Sequence, residues 1–151
     1  MSESASQKPS RRDFLKTGAI VGGAVATGLS LNRSVHAQGD DTLKIGLIGC
    51  GGRGRGAAGN ALKADPGIKL FAMADAFEDR LSDSANALKA SPDFGDRVVV
   101  DQDHMFSGLN GYKSVIECCD VVLLATPPQF RPVQLRAAVD AGKHVFCEKP
   151  V

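Results

Sequence analysis

The sequence predicts an α/β fold: a doubly wound parallel sheet with helices on both faces. Three observations carry this reading. Short apolar runs at residues 43–48, 68–74 and 120–125 lack polar alternation, as strands buried on both sides do. Helical stretches of 10 to 15 residues separate the runs. A cluster of glycines stands between the first run and the first helical stretch. The chain has 151 residues, 43% of them hydrophobic, with a formal net charge of +1. That length supports one ordinary domain, and that apolar content excludes an intrinsically disordered chain. Four cysteines are too few for a disulfide scaffold.

Residues 1–37 read as an address and not as fold. A polar start leads to Ser10-Arg11-Arg12-Asp13-Phe14-Leu15-Lys16, and a glycine-diluted apolar stretch follows at 17–31. Val35 and Ala37 then make a signal-peptidase site before Gln38. Basic, apolar, small is the order of an export signal, and the Arg pair marks the twin-arginine route. Its fifteen residues fall short of the roughly 20 that span a bilayer. The implied location is periplasmic or exported, with the twin-arginine machinery as partner. That route carries folded proteins, so any cofactor would be loaded in the cytoplasm and held through export. Without residues 1–37 the chain carries 13 Lys/Arg against 15 Asp/Glu, a net charge of −2. Such a surface gives no electrostatic support to a nucleic-acid partner.

After a linker at 38–42, a dinucleotide-binding domain is expected over 43–151. The first strand is 43–48. A glycine- and arginine-rich loop turns into a helix over 53–64, stopped by Pro66-Gly67. The second strand is 68–74. A helix over 77–90 puts Phe77, Leu81, Ala85 and Leu88 on one face. A short third strand is expected at 97–100, then a helical turn near 104–107 and a helix from Tyr112. The fourth strand is 120–125, followed by the rigid Thr126-Pro127-Pro128. A helix over 130–141 has Pro132 in its first turn and Gly142 as its stop. The fifth strand is 144–148.

The glycine cluster Gly49-Cys50-Gly51-Gly52-Arg53-Gly54 contains Gly-x-Gly-x-x-Gly between a strand and a helix. This is the context in which that spacing binds a dinucleotide, in a Rossmann-type fold. Gly49 permits the turn, Gly51 leaves room for a diphosphate, and Gly54 lets the helix approach the strand. Gly52 and Arg53 open the helix, whose free N–H groups face the phosphates. Asp75 stands 21 residues after Gly54, where an acid binds the adenosine ribose. A carboxylate there favours NAD over NADP, although Arg53 and Arg55 could receive a 2′-phosphate. A methyltransferase shares a similar loop and acid.

Two further stretches are Val121-Val122-Leu123-Leu124-Ala125-Thr126-Pro127-Pro128 and residues 137–151, which end in Cys147-Glu148-Lys149-Pro150-Val151. Together with the glycine loop they resemble the N-terminal domain of the Gfo/Idh/MocA oxidoreductases over nearly all of 43–151. The resemblance implies that Thr126 and Pro127 border the nicotinamide ribose. It puts Glu148 and Lys149 where cofactor meets substrate. Lys149 would orient the substrate hydroxyl and assist proton transfer, and Pro150 would fix the backbone through a cis bond. Gln129 departs from the His or Asn of many relatives. A C-terminal substrate domain follows in that family, with further catalytic residues and a surface for homo-oligomers. It is absent here, so the chain reads as truncated and inactive alone.

The function implied is hydride transfer between nicotinamide and a sugar or cyclitol carbon. The alternatives are a dinucleotide sensor without redox turnover, or a relative that cleaves glycosides with bound NAD. No metal site is expected: His104 and His144 lie far apart, and the adjacent Cys118 and Cys119 lack metal-ligand spacing. Cys50 and Cys147, the second on a fifth strand expected to be buried like the others, read as small apolar residues.

Overall fold

The computed structural model describes residues 42–150. The leader, its cleavage site and the linker up to residue 41 lie outside the described residues, as does Val151. The elements in order are β1 (Leu43–Ile48), α1 (Gly52–Ala64), β2 (Ile68–Asp75), α2 (Glu78–Lys89), β3 (Met105–Ser107), α3 (Gly111–Cys118), β4 (Val121–Leu124), α4 (Arg131–Asp140) and β5 (His144–Cys147). Short 3-10 turns occupy Gly95–Arg97 and Gln102–His104.

The five strands form one sheet in the order β3-β2-β1-β4-β5, and every pairing is parallel. Strand periodicity splits the apolar runs between two faces. Ile45, Leu47, Leu70, Met73 and Leu123 pack with Leu62 of α1 and with Leu81 and Leu88 of α2. Ile48, Ala72, Ala74, Val122 and Leu124 pack with Val115 and Ile116 of α3 and with Ala138 of α4. The result is a three-layer α/β/α domain of the Rossmann type. Burying one such leucine contributes about 1.5–3 kcal/mol. The strand order reverses between β1 and β4, which opens a crevice beyond their carboxyl ends.

Three expectations need correction. The third strand is not at 97–100. Arg97 is held in a 3-10 turn, its guanidinium donating to the Leu62 and Asp65 carbonyls. Val98 makes only an isolated bridge to Leu70. The paired segment comes later, at Met105–Ser107, where the helical turn was expected. The sequence around Val98 has the β-branched residues of a strand, but the turn at Gly95–Arg97 commits its start elsewhere. Second, Phe77 is not on the buried face of α2: it caps the helix and is 58% exposed. Leu81, Ala85 and Leu88 are buried as expected. Third, β5 is not buried on both faces. It is the sheet edge, with Phe146 exposed and Cys147 half-buried.

The turn after β1 is set by two glycines. Gly49 has φ +95, a conformation that side chains rarely adopt, and a Cβ there would lie 2.8 Å from the Thr126 nitrogen. A Cβ on Gly54 would lie 1.9 Å from the Gly49 carbonyl oxygen, so α1 can start where it does only without one. Gly56, one turn into the same helix, is exposed and would meet nothing. We therefore expect Gly54→Ala to destabilise the domain by about 1–3 kcal/mol through overpacking. Gly56→Ala should stabilise it by about 0.4–1 kcal/mol. Urea unfolding of the two variants beside the parent checks both signs.

Candidate functional site

The crevice is a cleft of about 510 Å³. Its floor is the strand ends at Ile48, Ala74 and Ala125, and its walls come from the loops that follow them. Gly49, Gly51, Arg53, Asp75, Thr126, Pro127, Glu148 and Lys149 all line it. The fold thus gathers residues separated by up to 100 positions. Gly54 stands behind the wall as a packing contact, buried against the Gly49 carbonyl. Gly52 opens the helix beside it, exposed, with open space where a Cβ would be.

Parallel pairing sets the strand ends in line. Gly49 N–H donates to the Ala74 carbonyl at 2.9 Å, Ala125 N–H to Ile48 at 2.8 Å and Glu148 N–H to Leu124 at 2.9 Å. Helix α1 then begins over the cleft with no side-chain cap at Gly51 and no acid in its first turn. The N–H groups of a first turn have no partner inside the helix, and they carry partial positive charge. A Cβ at Gly51 would meet no atom within 4 Å, so the wall is open there. This is the room that a diphosphate requires.

Asp75 ends β2 beside the glycine turn. Its Oδ2 accepts from Cys50 N–H at 2.6 Å and its Oδ1 from Phe77 N–H at 3.0 Å. The two bonds tie the carboxylate to the glycine turn and fix its direction. A carboxylate has about four acceptor sites, so each oxygen retains capacity for a hydroxyl. The donor set, open wall and fixed acid together fit a dinucleotide.

Arg53 leaves the first turn of α1 and forms an ion pair with Glu148 at the end of β5. The Arg53 hydrogen bond holds the Glu148 carboxyl below its usual range, against the opposing effect of desolvation. Arg55 is exposed and is not among the lining residues. Lys149 lines the cleft next to Glu148, and the Lys149–Pro150 peptide is cis.

Sequence reasoning missed the residue that joins the two sides of this end. Arg131 is 7% exposed and makes no ion pair among the described residues. Its Nε donates to the Thr126 carbonyl at 2.6 Å, and its Nη1 donates to the carbonyls of Glu148 at 2.5 Å and Pro150 at 2.7 Å. A signal was available: a cation in the first turn of a helix opposes the dipole, so it calls for specific acceptors. Gln134 was also missed, and it accepts the Thr126 hydroxyl at 2.5 Å. Arg80, beside Phe77 with its Cζ 5.2 Å from the ring, lines the Asp75 end. Gln129 is exposed and does not line the cleft, and neither do His104 and His144. Cys50 is buried, its thiol 3.4 Å from the Ala74 carbonyl, and burial raises its pKa with help from Asp75. It is packing, not a nucleophile.

Residues 43–151 match the Gfo/Idh/MocA family, an oxidoreductase family with an NAD-binding Rossmann fold. The chain belongs to this family. Residues 8–28 match the twin-arginine translocation signal, which directs export to the periplasm or beyond. Among curated relatives, a "Glycosyl hydrolase family 109 protein" of Solibacter usitatus is 29% identical over 95% of this chain and 33% of its own length. An "Inositol 2-dehydrogenase" of Cereibacter sphaeroides is 32% identical over 73% of this chain and 29% of its own. Two solved structures show the same domain. One is a scyllo-inositol dehydrogenase from Lactobacillus casei with NAD(H) and scyllo-inositol, at TM-score 0.55 and 28% identity, over 72% of this chain and 28% of that one. The other is a 3-ketoreductase from Actinomadura kijaniata with NADP and TDP-benzene, at TM-score 0.53 and 27% identity, over 72% and 29%. The chain therefore spans a third or less of the length of these relatives.

Two predictions follow from the charges. Arg131→Met leaves three carbonyls without their donor, so we expect a loss of about 1–3 kcal/mol in urea unfolding, the cost of an unpaired buried acceptor. The second concerns acid. The folded Glu148 carboxyl titrates below its unfolded value, so the Arg53 contribution is complete above the ordinary glutamate range and is lost as pH falls through the folded value. Arg53→Gln should be less stable than the parent near neutral pH, and the gap should close in acid. Urea midpoints from pH 7 to pH 3 check it.

Proposed function

We propose that the cleft holds NAD(H), with the diphosphate on the first turn of α1 and the adenosine ribose diol on Asp75. The observation that carries this is the pairing of an open, uncapped helix start with a carboxylate fixed by two backbone N–H groups. Gly49, Gly51, Gly52 and Gly54 supply the bend and the clearance. A fixed negative charge at the ribose repels a 2′-phosphate, so NAD is preferred over NADP. Arg80 works against that preference from the same end.

When bound, the nicotinamide supplies a hydride acceptor or donor. Thr126 and Pro127 border its ribose, and Glu148 and Lys149 stand where it meets the substrate. In the whole protein the substrate is a sugar or cyclitol, whose carbon exchanges a hydride while Lys149 orients the hydroxyl and moves its proton. Support comes from the relative named an inositol 2-dehydrogenase and from the solved inositol dehydrogenase that holds scyllo-inositol.

A second reading is glycoside cleavage that uses bound NAD, favoured by the match to a family 109 glycosyl hydrolase. The whole protein distinguishes the two. Substrate-dependent absorbance at 340 nm marks the dehydrogenase, and release of the aglycone without net reduction marks the hydrolase.

The cofactor assignment is tested on the chain itself. Asp75→Ala should weaken NAD binding about ten- to hundredfold, the loss of hydrogen bonds to a charged group, and should shift preference toward NADP. Calorimetric titration with each dinucleotide reads both. Equal affinities for NAD in parent and variant would remove Asp75 from the site. In the whole protein, Lys149→Met should lower kcat with little change in the Kd for NAD.

A further inference from the structure

The Arg53–Glu148 ion pair crosses the cleft mouth at the place where the proposed diphosphate arrives. Its two ends are not equally free. The Glu148 side chain is 10% exposed. Its backbone is tied by N–H to Leu124 and by its carbonyl to the buried Arg131. The Arg53 side chain is 63% exposed, and Glu148 is its one hydrogen-bonded partner among the described residues. It springs from the first turn of α1, the turn whose N–H groups face the cleft. The guanidinium is therefore the mobile half of the pair, and the carboxylate is its resting place.

We propose that Arg53 is a counter-ion switch: it rests on Glu148 in the free cleft and transfers to the diphosphate when a dinucleotide binds. The inference rests on the reading of the cleft as a dinucleotide site and adds a residue that tunes its affinity. A guanidinium pairs with phosphate as well as with carboxylate, through two parallel N–H donors. A diphosphate brings more charge than one carboxylate and meets Arg53 beside the helix start. Transfer forms the Arg53–phosphate hydrogen bonds and breaks those to Glu148, so the ligand competes with the protein's own anion. Glu148 thus weakens binding of any diphosphate ligand, although its carboxylate never touches the phosphate. An ion pair with its cation this exposed contributes little, which keeps the competition shallow.

The test uses ADP, which carries the diphosphate and lacks the nicotinamide end, with adenosine as the ligand that has no phosphate. Both are titrated calorimetrically into the full chain. Glu148→Gln keeps the side-chain shape and should tighten ADP binding about two- to fivefold, by removing the competing charge. Arg53→Gln should weaken ADP binding by a similar factor. The double variant should match Arg53→Gln alone, because the carboxylate acts only through Arg53. Adenosine affinity should be the same in all four proteins. The switch is overturned if Glu148→Gln leaves ADP affinity unchanged or lowers it, or if its effect persists without Arg53. A parent chain that binds neither ADP nor NAD would overturn the cofactor reading together with the switch. Normal ADP binding with no response to Glu148→Gln would overturn the switch alone. Circular dichroism melts of each variant separate lost binding from lost folding.

Discussion

One contact governs the cleft: the approach of Gly54 to the carbonyl of Gly49. It sets the start of α1 beside the ends of β1 and β4, with no side chain capping its first turn. Every other element of the site is placed relative to that start. Asp75 is aimed by a hydrogen bond to the turn that Gly49 makes, and Arg53 reaches Glu148 only because the helix begins where it does. The approach is possible because two positions carry no side chain, so a constraint on backbone clearance becomes a constraint on what the cleft can bind.

The charges around the cleft are arranged in opposition. Asp75 and Glu148 are acids at its two ends. Arg53 answers Glu148 directly, while Arg131 gives its hydrogen bonds to three carbonyls. A buried guanidinium bonded only to main chain is costly unless each donor finds an acceptor. Here the acceptors come from two loops far apart in sequence, after β4 and after β5. One cation thereby fixes the Thr126 loop and the Glu148–Pro150 segment to the same helix turn.

Much of this was legible beforehand because it depends on short-range patterns. The glycine spacing, the acid 21 residues on and the Glu-Lys-Pro segment are local, and the parallel sheet brings them together as expected. The third strand was not legible, because Val98–Val100 has strand-like residues while Met105–Ser107 has little to distinguish it. What decides between them is register against β2, a long-range property. Arg131 was missed for a related reason. Its partners are carbonyls, which every residue has, so no spacing of residue types announces them. Phe77 was misplaced because helical periodicity gives a face but not the residue at which the helix begins.

The sulfur inside the glycine turn bears on where this family member works. Beyond the inner membrane, reactive thiols meet oxidants and thiol-exchange partners. Cys50 is walled in by the sheet, and its proton is held by desolvation, so it presents almost no thiolate to them. A residue that would be a liability on the rim of the same loop is harmless one atom layer deeper. The glycine turn in this way keeps its sulfur out of reach of the thiol chemistry met along the export route that the leader specifies.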